Sequence, residues 1–159
     1  MIVRFVQGTG WSSKLIIAQE KTVMPFTPSH AEAVMPNGKY LGAHEVGGVQ
    51  ECEPGYDAEW VPKDKLHELI LELPSTPEQD KVFYDYLRKH IGEPYDLHAI
   101  TGFVVPGHYH DLYHTICSAL ITGALRTCEW FPFPLAMPWH LVDPARLLLM
   151  VSVKVRVPM

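Results

Sequence analysis

The chain has 159 residues and a mass of 18.0 kDa, with 47% apolar and 19% charged residues. That is ordinary globular composition for a single domain over 1–159, neither disordered nor fibrous. The net charge of −5, with Arg88-Lys89 as the longest basic run, offers no face to a phosphate backbone, so nucleic acid is not an expected partner.

No stretch approaches the roughly 20 apolar residues of a membrane span. The apolar run Ile2-Val3, Phe5-Val6 is broken by Arg4 and is too short for a signal h-region, so a soluble protein of cytoplasmic synthesis is expected. The cysteines are Cys52, Cys117 and Cys128. An odd number without a Cys-x-x-Cys pair reads as free thiols in a reducing compartment, not as a disulfide framework.

In chain order, Ile2 to Val6 reads as a short buried strand, and Ser12 as the cap of a helix over 13–21. Pro25 and Pro28 mark a loop that delivers Ser29-His30. A hairpin follows, from Ala31 to Met35 and from Lys39 to Glu45, around Pro36-Asn37-Gly38. Val49 to Cys52 extends it, and Leu66 to Leu73 alternates like a strand. Ser75 or Thr76 caps a helix over 77–90 with Pro77 at its first turn. Asp96 is placed to cap a short helix through Phe103, and residues 117–127 form a small-residue apolar helix. Asp143-Pro144 caps a last helix or turn, and Met150 to Val157 reads as a closing strand. The class is α+β, with an antiparallel sheet packed against the Cys117 helix.

Cys117 begins its helix straight after a polar loop. Helix N-termini carry unpaired N–H groups and a positive partial charge, which stabilise a thiolate and can bind the oxyanion of an acyl-transfer intermediate. Cys128, at the far end of the helix, has the wrong sign of dipole. A nucleophilic Cys needs an imidazole held by a third polar group. With a three-residue hairpin loop, Met35 pairs with Lys39, Val34 with Tyr40 and, counting down, His30 with His44. Directly opposed residues share a face, with Cβ atoms about 5 Å apart. A two-residue Asn-Gly loop puts Glu45 opposite His30 instead. His30 is therefore the expected base and His44 its expected partner, with Glu45 and Glu32 as alternatives.

The order of these parts resembles the circularly permuted NlpC-type papain-like cysteine hydrolases. The resemblance rests on Ser29-His30, the Asn-Gly turn, Tyr40-Leu41-Gly42-Ala43-His44, Gly47-Gly48-Val49, Gly92-Glu93-Pro94-Tyr95-Asp96 and Ile116-Cys117-Ser118-Ala119-Leu120. YiiX-like peptidases and lecithin:retinol acyltransferase-like proteins share this order, with the His strands ahead of the Cys helix. The resemblance covers roughly residues 10–125. It implies a permuted papain-like fold, Cys117 as nucleophile and His30 as base, without a cofactor. It also implies a polar third residue on the second strand, where Gly42 stands at the commonest spacing, and Tyr95 beside the oxyanion. The implied activity is cleavage of an amide in a peptide or peptidoglycan-like substrate, or of a lipid ester by an acyltransferase or thioesterase. A silent binding scaffold, such as a phage or secretion-apparatus component, is the rival from another class.

Other features weigh less. His108, His110 and His114 with Asp111 form the densest His cluster, a metal-binding alternative. Trp130 to Trp139 is dense in Pro and aromatics and reads as a wedge against the core more than as a substrate wall. Gly8-x-Gly10 lacks the Lys-Ser/Thr of a phosphate loop.

Overall fold

Among the described residues, five strands form one antiparallel sheet in the order β4-β3-β2-β1-β5: β1 (Ile2–Val6), β2 (His30–Val34), β3 (Tyr40–His44), β4 (Gly48–Cys52) and β5 (Glu68–Glu72). Four α-helices among the described residues accompany it: α1 (Trp11–Gln19), α2 (Pro77–Lys89), α3 (Cys117–Thr127) and α4 (Pro144–Ser152). The computed structural model describes residues 1–19, 26–62, 67–95, 116–132 and 138–153. The expected helix from Asp96 and the cluster of His108, His110, Asp111 and His114 lie outside them.

Strand alternation builds two layers. Val3, Phe5, Ala31, Ala33, Leu41 and Ala43 are fully buried in one core with Phe83 and Leu87 of α2 and Leu120, Ile121 and Ala124 of α3. Complete burial of each large side chain contributes about 1.5–3 kcal/mol. The alternate positions carry Arg4 and Glu32, paired across β1 and β2, and these too are buried. A buried charge must find partners, so this second layer is polar by construction.

The hairpin loop is the three-residue form. Met35 N–H donates to Lys39 O (2.8 Å) and Gly38 N–H to Met35 O (2.8 Å), with Gly38 at φ +83°. Val34 pairs with Tyr40 and Ala33 with Leu41, which continues to His30 opposite His44. Thr76 caps α2 in a reciprocal capping box with Gln79, ahead of Pro77. α3 spans the expected residues, and packs on β2 and β3. Gly123 allows a close approach to α2, because a Cβ there would lie 2.5 Å from the Tyr86 hydroxyl.

Two expectations need correction. α1 starts at Trp11, ahead of the expected 13. Met150 to Ser152 belong to α4 and not to the expected closing strand, whose remainder from 154 lies outside the described residues. Asp143 caps that helix at Arg146 N–H (2.7 Å), and Leu147, Leu148 and Val151 recur at helical spacing as its buried face. Trp130 is a wedge: it is buried in the core and donates through Nε1 to Pro74 O (2.8 Å).

Candidate active site

Three anchors place the site. Ser29 fixes the entry to β2: its N–H donates to Val6 O (2.9 Å), and its Oγ accepts from Gly8 N–H (3.0 Å). His30 follows as the first strand residue. Cys117 is the first residue of α3, after Ile116 at the N-cap, and is buried. The segment 92–95 docks on β4 through Gly92 N–H to Val49 O (2.8 Å) and Val49 N–H to Glu93 O (2.9 Å). Docking brings Tyr95 onto Ile116 and Ala119 at the start of α3.

His30 is the meeting point. Its ring lies within hydrogen-bonding reach of the Cys117 side chain. Its Nε2 stands 3.4 Å from Glu32 Oε2. The His44 ring lies 5.1 Å away between centroids, tilted by 43°. His44 does face His30, as the hairpin register requires. The nearer polar partner is nevertheless Glu32, two residues along the same strand. Glu45, at the exposed β3–β4 turn, makes no contact with His30 among the described interactions.

Glu32 is held from three sides. Its Oε1 takes an ion pair from Arg4, and its Oε2 accepts from the Tyr56 hydroxyl (2.9 Å). Arg4 also pairs with Asp57 (2.7 Å) and Glu68, and stacks over the Tyr40 ring (4.4 Å). Sequence reasoning missed Arg4, Tyr56 and Asp57 as parts of this network. A signal was present in Arg4 itself, a lone charge in the middle of the buried strand Ile-Val-Arg-Phe-Val, which obliges a carboxylate to stand across from it.

The charges polarise the two histidines in opposite senses. Burial lowers the His30 pKa, but the charge and hydrogen bonding of Cys117, and then of Glu32, outweigh it and push it up to about 10. Burial, then repulsion from His30, pulls His44 down to about 4. Burial also works against a charged Glu32, yet His30 and Arg4 hold it down at about 2. At neutral pH the site holds a cationic His30 against an anionic Glu32, with a neutral imidazole alongside.

A cavity of about 470 Å³ opens on this cluster, with His30, His44, Tyr56, Trp60, Tyr95 and Ile16 among its walls. Cys117 does not line it, so His30 is the group shared by the cavity and the thiol. Of the other thiols, Cys128 is buried in the core and gives its S–H to Leu125 O (3.3 Å). Cys52 is half-buried, with Sγ 3.8 Å from His44 Nε2. His30, Glu32 and His44 also present one ligand atom each within 4.8 Å of one another, a donor set that suits a divalent ion.

No protein-family model matches the chain, and no curated protein does. Among solved structures it is similar to the metalloprotein yiiX from Escherichia coli O157:H7, at 17% identity and a TM-score of 0.57. The match covers 82% of this chain and 66% of that one, so the chain spans just under two thirds of that protein's length. It has a YiiX-like fold. No helix among the described residues is long and apolar enough to cross a membrane.

Proposed function

We propose that the chain is a cysteine hydrolase of the permuted papain-like arrangement, acting on an amide bond with Cys117 as nucleophile, His30 as base and Glu32 as the group that orients His30. One observation carries the reading: a single imidazole reaches both a thiol at a helix N-terminus and a buried carboxylate. Nucleophile, base and orienting group are the parts that activate a thiol. Along the chain the His strand comes ahead of the Cys helix, the order that the permuted arrangement requires.

The Cys117 thiolate adds to the carbonyl carbon, and the oxyanion lies against the first-turn N–H groups of α3, which have no partner within the helix. His30 gives its proton to the leaving amine, which departs and leaves a thioester. Water then attacks the thioester with His30 as base, and the acid is released. The substrate carbonyl arrives from the cavity, past His30. The aromatic walls, Tyr56, Trp60 and Tyr95, suit an apolar side chain next to the scissile amide, as in a peptide or a peptidoglycan-like stem.

The test is iodoacetamide alkylation at pH 6, resolved by mass spectrometry at each cysteine, in the wild type and in His30→Ala. Fast labelling at Cys117, slowed at least ~10-fold by His30→Ala, is the expected result. Cys52 and Cys128 serve as internal references. Slow, equal labelling of accessible cysteines in both proteins replaces this reading with the silent binding scaffold.

A further inference from the structure

We infer that His30, Glu32 and His44 form a divalent-cation site, of the zinc class, whose occupancy holds the thiol machinery off. The switching half of this inference rests on the hydrolase reading above; the binding half does not.

The donor set is two imidazoles and a carboxylate on facing strands, with one ligand atom from each within 4.8 Å of the others. A zinc ion bound at about 2.0–2.1 Å in a tetrahedron needs ligand atoms roughly 3.4 Å apart. His30 Nε2 and Glu32 Oε2 already stand at 3.4 Å. The ligand atom of His44 lies within 4.8 Å of both, so its ring turns inward to complete the set. His30 Nε2 is buried without an aligned hydrogen bond, so a metal that displaces its proton breaks no well-formed bond there. The hairpin loop makes the arrangement rigid, because the three-residue form alone puts His44 on the face of His30.

Charge favours a cation here. Apart from the His30 imidazolium, whose proton leaves when a metal binds, Arg4 is the positive side chain at the cluster among the described residues, and it already faces three carboxylates: Glu32, Asp57 and Glu68. Three carboxylates outnumber the guanidinium and the imidazolium together, and Arg4 holds Oε1 of Glu32 while Oε2 stays on the histidine side. Tyr56, donating to that Oε2, orients it as outer partners of metal ligands do. An entry path exists, since His30 and His44 both line the cavity, which leaves the fourth position open to water.

An ion on one ring nitrogen of His30 leaves the ring's remaining proton on the other, so the imidazole can no longer take the proton of Cys117. Metal-loaded protein is then the silent form, and metal-stripped protein the reactive one. This is distinct from the His108/His110/His114 alternative, which uses none of these ligands.

The experiment uses the full chain, stripped with a chelator and titrated calorimetrically with zinc chloride, and in parallel with cobalt(II) followed by visible absorption. Wild type should take up about one ion with an intense tetrahedral cobalt spectrum, and His44→Ala and Glu32→Gln should each weaken binding roughly tenfold or more. Zinc should also protect Cys117 from iodoacetamide. No uptake by the wild type overturns the site, whatever the variants do, so a poorly folding variant does not decide the matter. Uptake unchanged in His44→Gln and Glu32→Gln, with native circular dichroism, places the ion elsewhere and overturns it as well. Failure of the hydrolase reading has its own signature: slow labelling of Cys117 in the stripped protein. In that case the isotherm still decides the binding half.

Discussion

A Cβ placed on Gly42 would stand 2.9 Å from the Glu32 Cβ and 3.4 Å from His30 Nε2. The register that pairs Val34 with Tyr40 and Ala33 with Leu41 sets Gly42 opposite Glu32. The missing side chain on β3 is therefore the space in which the carboxylate of β2 turns toward the imidazole. The resemblance to permuted enzymes expects a polar residue on the second strand at this spacing, and glycine cannot supply one. In the proposed mechanism its work passes to the residue across the ladder.

Gly42→Ala should accordingly damage the site more than a methyl group normally does. The Glu32 Cβ is attached to the β2 backbone and cannot swing away, so the hairpin must shift. A stability loss of about 1–3 kcal/mol by chemical denaturation is expected. Cys117 alkylation should slow with it, toward the rate of His30→Ala. Full thiol reactivity in a folded Gly42→Ala protein would show that the Glu32 position is unimportant to the imidazole.

Arg4 is the second point of sensitivity. Removing it, as in Arg4→Leu, leaves Asp57 buried without its ion pair and Glu32 with His30 alone, and breaking a buried pair costs about 3–5 kcal/mol. Arg4→Lys should recover part of that loss at most, since one ammonium cannot serve Glu32, Asp57 and Glu68 with the fork of a guanidinium. Denaturation midpoints of the two variants check both statements. A difference near zero between Arg4→Lys and wild type would mean that the network is loosely held.

The parts of this site that the sequence exposes are those fixed by local chemistry. Pro36-Asn37-Gly38 dictates its loop, the loop dictates the register, and the register brings His30 and His44 face to face. Cys117 follows from the change of polar loop to small-residue helix. The choice between His44 and Glu32 is not local. Both lie on one face near His30, and the decision belongs to Arg4 and Tyr56, which pull the carboxylate into place from β1 and from the 53–60 turns. No periodicity places those turns over the sheet. Met150 to Ser152 mislead for a simpler reason: they open a β-branched run that looks like a strand, but Leu147, Leu148 and Val151 share one buried helical face that carries them into α4.

The opposite shifts of Glu32 and His30 predict stability limits on both sides of neutrality. Glu32 is held at about 2, below its ordinary 4.5, so its contribution is present above the ordinary value and is lost as pH falls through about 2. The size of that contribution is about 3 kcal/mol. His30 is raised to about 10 from 6.5, so its contribution is full below 6.5 and fades as pH rises through about 10. Urea midpoints between these limits should form a plateau near neutrality. Glu32→Gln should flatten the acid limb and His30→Gln the alkaline one. An alkaline limb unchanged by His30→Gln would show that the imidazole is not held in its charged form.

Gly48 tests whether the docking of 92–95 matters to the site. Its φ is +68°, and a Cβ there would lie 2.1 Å from the Glu93 carbonyl oxygen, a backbone atom that cannot yield without breaking the bonds between Val49 and the 92–93 segment. Gly48→Ala should displace that segment, and with it Tyr95, from the start of α3. Gly55→Ala is the matched reference: φ is +87°, but nothing lies within 4 Å of the added carbon, so only the backbone strain of about 1 kcal/mol applies. Gly48→Ala should therefore lose markedly more stability than Gly55→Ala and alter the alkylation rate at Cys117, while Gly55→Ala leaves that rate unchanged. Equal losses in the two variants would mean that the chain moves aside at Glu93 freely, and that Tyr95 owes its place on Ile116 and Ala119 to its own packing.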